Sequence, residues 1–278
     1  GKDLTRSGRR HDPGRDVHGD AADIAIALDP DADRCAVGIP TPDGWRMLSG
    51  DETGWLLGDY ILSQVEPGAV TEATVVASTV VSSRMLAAIA KEHGARHVET
   101  LTGFKWLSRV DLDTPGCTLV YAYEEAIGYC VDPAAVRDKD GISAAVLICD
   151  LLVALREKGI TVFDALDDLA RRHGVHTTTA VSRRVADVVE ATAVMARLRQ
   201  SPPDRLAGFQ VVCADMLLER GQRRTDALIM AGSDDDASVR VVVRPSGTEP
   251  KVKSYIEVRC RPVDGLEAAR VRAQTLQG

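Results

Sequence analysis

The sequence predicts an α/β protein: a layered mixed α/β domain, preceded by part of a second such domain and followed by a small α+β domain. Across residues 49–174, short β-branched runs alternate with segments whose apolar residues recur at helical spacing. This alternation is typical of a mainly parallel sheet covered by helices. After Gly174 the rhythm changes to one strand, one helix and a run of further strands.

Four segments follow from this pattern. Residues 1–20 hold only two aliphatic side chains, Leu4 and Val17, so we expect a disordered or irregular start. Residues 21–48 would be the remnant of a preceding domain, residues 49–174 the α/β domain, and residues 175–278 the α+β domain.

The first predicted strands surround an acidic loop at residues 29–34. An apolar run at residues 22–28 predicts a buried strand that leads into this loop. Residues 35–39 and 45–48 flank Pro-Asp-Gly, which favours a hairpin.

Polar residues mark the helix starts of the α/β domain. Ser49 and Glu52 match a capping box, Ser82 or Ser83 is expected to cap a helix at residues 84–93, and Thr161 is expected to begin a helix that runs to residue 173. The other predicted elements are strands at 74–77, 96–100 and 117–123, a loop at 101–105, and a long helix from 141 to about 159.

The α+β domain is predicted to begin with a strand at residues 176–183 and a helix at 188–200. Strands at 209–213, 227–230, 239–243 and 251–259 follow, and a last helix starts at residue 265.

Composition narrows the classes of function. A net charge of -7 and an aromatic content of 4% argue against a nucleic-acid surface. The six cysteines are scattered without a C-x-x-C pair, as in a reducing cytoplasm, and no apolar run is long enough to cross a bilayer. We therefore expect a cytoplasmic protein that binds neither nucleic acid nor membrane.

The acidic loop is a candidate metal site. Asp29, Asp31 and Asp33 alternate, so in extended backbone their carboxylates would share one face and suit a hard ion, Mg²⁺ or Ca²⁺. An EF-hand is excluded because its sixth position is Arg34 and its twelfth is Pro40. An acidic surface turn without a metal is the alternative.

A second candidate is the arginine turn, residues 244–251 (Arg-Pro-Ser-Gly-Thr-Glu-Pro-Lys). Backbone amides in such a turn can form an anion-binding concavity, and Ser246 and Thr248 add hydroxyl donors. Arg244 offers the bidentate fork that suits phosphate. An ordinary hairpin turn with a basic neighbour is the alternative.

The glutamate loop, residues 124–128, follows a predicted strand. The carboxylates of Glu124 and Glu125 are acceptors that suit sugar hydroxyls, although a helix N-terminus would also favour them. Lys105 lies in another loop, where a lysine is usually just solvated. Lys139 lies at residues 137–141, which could place it near a phosphate or a proton-transfer site or could simply be a charged loop that caps the next helix. Together these groups predict a site for a phosphorylated polyol held between domains.

These motifs, in this order, resemble the α-D-phosphohexomutases, the family of phosphoglucomutase and phosphomannomutase, over about residues 21–278. The acidic loop resembles the family's metal-binding loop, and residues 102–105 its third-domain loop. The glutamate loop resembles its sugar-binding loop, residues 137–141 a further active-site loop, and the arginine turn its C-terminal phosphate-binding loop. The sequences Gly-Phe-Lys-Trp and Glu-Glu-Ala-Ile-Gly-Tyr are most similar to the branch with phosphopentomutase-like and bacterial enzymes.

The resemblance implies a third-domain phosphohexomutase fold and a phosphosugar mutase. In that family a phosphoserine beside Mg²⁺ exchanges phosphate with a hexose monophosphate through a bisphosphate. By resemblance, Asp29, Asp31 and Asp33 would hold Mg²⁺, and the catalytic groups would be Arg34 and Lys139. The implied substrate-binding residues are Gly103, Lys105, Glu124, Glu125, Arg244, Ser246, Gly247 and Thr248.

Two departures from the family qualify this expectation. Ala126 stands where the sugar loop usually has Ser, so one hydroxyl contact is absent. The phosphoserine motif (Thr-Ala-Ser-His-Asn-Pro or similar) does not occur in these residues. We therefore expect a C-terminal fragment of a hexose 1-phosphate/6-phosphate mutase that cannot turn over alone.

Four alternatives remain open at this point. They are a phosphopentomutase, a non-catalytic phosphosugar- or metal-binding module, an inert remnant, and a metal-dependent phosphatase.

Overall fold

The computed structural model describes residues 22–66, 68–221, 224–247 and 249–278. The predicted irregular segment at residues 1–20 and the candidate ligand Thr248 lie outside these ranges. No helix of the described residues is long and apolar enough to span a membrane.

A small antiparallel sheet carries the acidic loop. Its strands, in spatial order, are β1 (Ala25–Leu28), β2 (Cys35–Thr41) and β3 (Gly44–Met47). The prediction of a buried first strand was wrong: β1 is short, and Ile26 and Leu28 are 37% and 42% exposed. β1 pairs only with β2 among the described residues, which leaves one edge of this strand open.

The α/β layer follows, and its sheet is mainly parallel, as predicted. Its elements are α1 (Gly50–Gln64), β4 (Thr74–Thr79), α2 (Met85–His93), β5 (Arg96–Thr100), α3 (Phe104–Leu107), β6 (Thr118–Glu124), β7 (Gly128–Cys130), α4 (Gly141–Glu157) and α5 (Val162–His173). The strand order is β5-β4-β6-β7, with only β7 antiparallel.

Capping boxes set the starts of two helices where the sequence predicted them. Ser49 and Glu52 form a capping box at α1, and Thr161 and Asp164 form one at α5. At α2 the prediction that Ser82 or Ser83 is the cap was wrong: the N-cap residue is Arg84, which forms no side-chain cap bond. The Ser83 hydroxyl, one residue earlier, accepts from the Met85 amide at 3.1 Å. The predicted loop through residue 105 was wrong in part, because α3 begins at residue 104.

The C-terminal part is an antiparallel sheet with helices on one face. Its elements are β8 (Val175–Arg184), α6 (Val188–Gln200), β9 (Arg205–Leu206), β10 (Phe209–Gln210), β11 (Val212–Asp215), a 3₁₀ turn (Met216–Leu218), β12 (Leu228–Ser233), β13 (Ala237–Pro245), β14 (Lys251–Cys260) and α7 (Leu266–Gln277). The five-stranded order is β11-β12-β13-β14-β8.

Separate apolar cores stabilise the two larger sheets. One core joins α1, α2, α4 and α5 to β6 and contains three fully buried tyrosines, Tyr121, Tyr123 and Tyr129. Another lies between the five-stranded sheet and helices α6 and α7. A small cluster of Val80, Val81 and Val242 with Tyr255 lies where the two sheets meet.

Candidate active site

The acidic loop is a tight turn that brings three carboxylates together. The Ala32 amide donates to the Asp29 carbonyl at 3.0 Å, and Ala32 has a φ of 57°. Carboxylate oxygens of Asp29, Asp31 and Asp33 lie within 4.8 Å of one another. The carboxylates converge as expected, but through this turn and not through alternation along an extended strand.

Arg34 brings positive charge to the same loop. Its amide donates to Asp29 Oδ1 at 3.0 Å, and its guanidinium lies 3.6 Å from the Asp29 carboxylate and 3.8 Å from that of Glu124. Desolvation alone would raise the pKa of Asp29, but the amide and the guanidinium of Arg34 outweigh it and hold that pKa below its ordinary value. Asp29 therefore stays ionised.

Lys139 reaches the acidic loop from the segment before α4. Its Nζ lies 2.6 Å from Asp33 Oδ2. Burial would lower the pKa of Lys139, but the hydrogen bond and charge of Asp33 raise it above the ordinary value, so the ammonium stays charged. Asp33 Oδ1 is buried and has no hydrogen-bond partner in the described part of the chain. An unpartnered carboxylate oxygen among converging carboxylates fits a hard, oxygen-seeking cation.

Glu124 ends β6 at the edge of the acidic loop. An isolated bridge between Arg34 and Gly128 and a 3.1 Å bond from the Cys35 amide to the Ile127 carbonyl hold the glutamate loop against the acidic loop. Desolvation raises the pKa of Glu124, and the charges of Arg34 and Lys139 only partly offset this. The carboxylate therefore lies among groups that approach the candidate metal site.

Glu125 does not share this position, although the sequence suggested a pair. Its carboxylate accepts from Thr79 Oγ1 at 3.2 Å and from Ser82 Oγ at 3.1 Å. Burial, followed by the negative charge of Asp51, raises the pKa of Glu125 to about 7. The side chain therefore faces the junction between the sheets and not the acidic loop.

The predicted loop at residues 101–105 turns at Gly103, whose φ of 108° favours glycine, and then forms α3. Phe104 places its ring 6.0 Å from Lys139 Nζ, and Thr102 accepts a 2.6 Å bond from the Arg244 guanidinium. Lys105 lies over the ring of Trp106 at 5.2 Å and forms no ion pair among the described residues. The turn therefore contacts both neighbouring loops.

The arginine turn closes between β13 and β14. The Ser246 amide donates to the Lys251 carbonyl at 2.8 Å, and the Lys251 ammonium pairs with Glu249 at 2.8 Å. Gly247 is exposed at the tip. Arg244 is the turn's guanidinium, and its bond to Thr102 directs it towards the turn at Gly103.

A path of contacts joins the candidate residues into one region. It runs from Asp33 through Lys139 to Phe104, follows the chain through the turn at Gly103 to Thr102, and reaches Arg244. The sequence placed Thr102 and Phe104 in the motif at residues 102–105 but named neither as a site residue, although both adjoin Gly103, a residue type that often marks a turn with a positive φ. The region combines clustered carboxylates, two cations and an anion-suited turn.

Comparisons with known proteins identify the family of the two larger parts of the chain. The family description "Phosphoglucomutase/phosphomannomutase, alpha/beta/alpha domain III" matches residues 49–173, and "Phosphoglucomutase/phosphomannomutase, C-terminal domain" matches residues 215–274. The chain belongs to the phosphoglucomutase/phosphomannomutase family. The family and the fold class predicted from the sequence are thus confirmed.

Two named relatives of this phosphoglucomutase/phosphomannomutase family member come from a bacterium and a yeast. A probable phosphomannomutase of Haemophilus influenzae is 39% identical over 92% of this chain and 50% of its own length. A probable phosphoribomutase of Schizosaccharomyces pombe is 32% identical over 84% of this chain and 43% of its own length. The chain thus spans about half the length of these relatives.

A solved structure of a putative phosphomannomutase from Thermus thermophilus shows the same fold. It has a TM-score of 0.60 and 19% identity over 90% of this chain and 45% of its own length. The arginine turn falls inside the C-terminal family match and the glutamate loop inside the domain III match, while the acidic loop precedes both.

Proposed function

We propose that this chain supplies the metal-, sugar- and phosphate-binding groups of a phosphosugar mutase that interconverts hexose 1-phosphate and hexose 6-phosphate, with glucose or mannose as the sugar. The observation that carries the proposal is the contact path from Asp33 through Lys139 and Phe104 to Thr102 and Arg244. It brings a cluster of hard-cation ligands and a turn suited to phosphate to the two ends of one region.

At one end the arginine turn would hold the phosphate that does not react. Arg244 would provide the fork, and the Ser246 hydroxyl, the Gly247 amide and the Thr248 hydroxyl would complete the donor set. Glu124 would accept bonds from sugar hydroxyls, because an ionised carboxylate is acceptor-only. Gly103 and Lys105 would line the region between the two loops.

At the other end the carboxylates of Asp29, Asp31 and Asp33 would hold Mg²⁺. When bound, Mg²⁺ supplies positive charge to phosphoryl oxygens and so favours transfer. Arg34 would stabilise charge on the phosphoryl group, and Lys139 would hold a proton near the sugar oxygen that gains or loses phosphate. Such transfer depends mainly on positioning and charge neutralisation.

The phosphoryl carrier is part of the same proposal. The family resemblance implies a phosphoserine, and the Thr-Ala-Ser-His-Asn-Pro sequence does not occur among the 278 residues. We therefore expect the chain alone to bind sugar phosphate without turning it over. We also propose that the protein resides in a reducing cytoplasm, because all six cysteines are free thiols.

A pentose phosphate is the second candidate substrate. The 32% identical yeast relative is named a probable phosphoribomutase, and Ala126 offers no hydroxyl to a sugar. Isothermal titration of the chain with glucose 6-phosphate, mannose 6-phosphate and ribose 5-phosphate in Mg²⁺ ranks the sugars. Hexoses binding more tightly than ribose supports the hexose proposal, and the reverse order supports the pentose.

The same titration tests the arginine turn. Arg244→Ala should weaken binding of every sugar phosphate by about tenfold or more, because a charged hydrogen-bond donor is lost. Arg261→Ala removes an exposed arginine beyond the far end of β14 and serves as the matched control. Equal affinities for the two variants, or no binding by the unaltered chain, would overturn the proposed function.

A further inference from the structure

One face of the β13–β14 ladder lies against the α/β layer and carries unusual residues for a buried surface. Alternate residues share a face in paired strands. The cross-strand pairs on this face are Arg240 with Glu257, Val242 with Tyr255, and Arg244 with Lys253. The first pair is buried and charged, and the last adjoins the arginine turn.

The Glu257 side chain extends from this sheet and contacts the start of α2. Its Oε1 accepts from the Ser83 hydroxyl at 2.6 Å and from the Arg84 amide at 2.8 Å, and His176 Nδ1 lies 2.8 Å away. Burial would raise the pKa of Glu257, but the contact with His176 and the bonds from Ser83 and Arg84 outweigh it and lower that pKa. An ionised carboxylate from the C-terminal sheet therefore lies beside the N-terminus of a helix of the α/β layer, where the helix dipole favours negative charge.

Arg240, the cross-strand partner, also ends in the α/β layer. Its guanidinium donates to the Val80 carbonyl at 2.7 Å and to Glu99 at 3.0 Å. Buried charges are costly unless fully bonded. Both members of this charged pair therefore meet their bonding requirement across the junction, which fixes the sheet against the segment that follows β4.

The segment that follows β4 also bonds to the glutamate loop, through Ser82. Ser82 Oγ accepts from the Glu125 amide at 3.1 Å and donates to the Glu125 carboxylate. The Ser83 amide donates to Asp51 Oδ1 at 2.8 Å. Residues 79–84 thus connect Glu257 on the sheet to Glu125, the residue next to Glu124.

We propose that Glu257 is a positioning residue that sets the spacing between the arginine turn and Glu124. The inference rests on the proposed function, in which one sugar phosphate must reach both groups. Residue 253 lies about 13 Å from residue 257 along β14. A small rotation of the strand about residue 257 therefore displaces the arginine turn at its end. Removal of the carboxylate leaves the turn intact but changes its placement.

Two ligands distinguish the placement of the arginine turn from its own ability to bind phosphate. Inorganic phosphate has no sugar hydroxyls and so does not depend on Glu124, whereas glucose 6-phosphate needs the arginine turn and Glu124 together. The variants are Glu257→Ala, Glu257→Gln, which keeps an acceptor for the Arg84 amide, and Arg270→Ala. Arg270 contacts Asp167 and so joins α7 to α5 away from this face, which makes it the matched control.

Phosphate and glucose 6-phosphate affinities are measured by NMR titration for each folded variant in Mg²⁺. In Glu257→Ala, glucose 6-phosphate affinity should fall about tenfold while phosphate affinity stays within about twofold. Glu257→Gln should recover part of the loss, and Arg270→Ala should leave both affinities unchanged.

The outcomes separate the two claims. An unaltered ratio of the two affinities in Glu257→Ala overturns the positioning role while leaving the proposed function in place. The same loss of glucose 6-phosphate affinity in Arg270→Ala also overturns it. If the unaltered chain binds glucose 6-phosphate no more tightly than phosphate, the proposed function fails and the inference fails with it.

Discussion

Gly141 is the position where one added methyl group should most directly disturb the acidic loop. It is the first residue of α4, and its amide donates to the Ala32 carbonyl at 3.1 Å. A Cβ at residue 141 would lie 2.5 Å from the Arg34 carbonyl oxygen and 2.8 Å from that of Ala32. Ordinary contact begins at 3.4 Å, so the loop would have to move by about 0.9 Å.

That displacement is large for a metal site, because ligand groups need placement within about 0.5 Å of their productive positions. We expect Gly141→Ala to weaken Mn²⁺ binding, measured by electron paramagnetic resonance, by about tenfold or more. The helix preference of alanine, at most about 1 kcal/mol, would not remove the clash with two backbone oxygens.

Ile142→Ala is the control for this prediction. Ile142 is the next residue of α4 and its side chain is 59% exposed, so its truncation leaves the loop untouched. If Gly141→Ala binds Mn²⁺ as tightly as Ile142→Ala and the unaltered chain, the backbone of the acidic loop does not position the metal ligands.

Three further changes have distinct expected results. Lys139→Met should tighten Mn²⁺ binding several-fold, because the ammonium competes with a cation for Asp33, and should weaken glucose 6-phosphate binding, because a positive charge near the sugar phosphate is lost. A titration in which both affinities fall would contradict this. Glu125→Gln should flatten the pH dependence of the free energy of unfolding. Because the pKa of Glu125 is raised from 4.5 to about 7, the unaltered chain loses up to about 3 kcal/mol of stability as pH rises through this range. Urea unfolding at several pH values should show the difference between the two chains. Gly54→Ala should destabilise the chain by about 1–3 kcal/mol, since its Cβ would lie 2.5 Å from the Tyr123 ring; an unchanged Tm would refute that packing.

The sequence predicted elements best where local chemistry determines them. The capping boxes at Ser49 and Thr161 begin their helices where expected, because the bonds lie within four consecutive residues. The acidic loop was also recognised, but its geometry was not: spacing suggested an extended chain, whereas the positive φ of Ala32 produces a turn.

Features that depend on distant packing could not be predicted in this way. An apolar run at β1 suggested burial, but exposure depends on what covers a strand, and no local pattern records that. Glu124 and Glu125 are chemically identical neighbours, and only the hydroxyls of Thr79 and Ser82, more than 40 residues away, draw one of them inward. The Glu257 contacts link residues more than 170 positions apart.

A crystal structure with Mn²⁺ and glucose 6-phosphate would test directly whether the acidic loop, glutamate loop and arginine turn make one site. We expect an anomalous manganese peak between Asp29, Asp31 and Asp33, the phosphate of the sugar on the arginine turn, and sugar hydroxyls on Glu124. Manganese bound elsewhere, or a sugar phosphate that does not contact Arg244, would contradict the account.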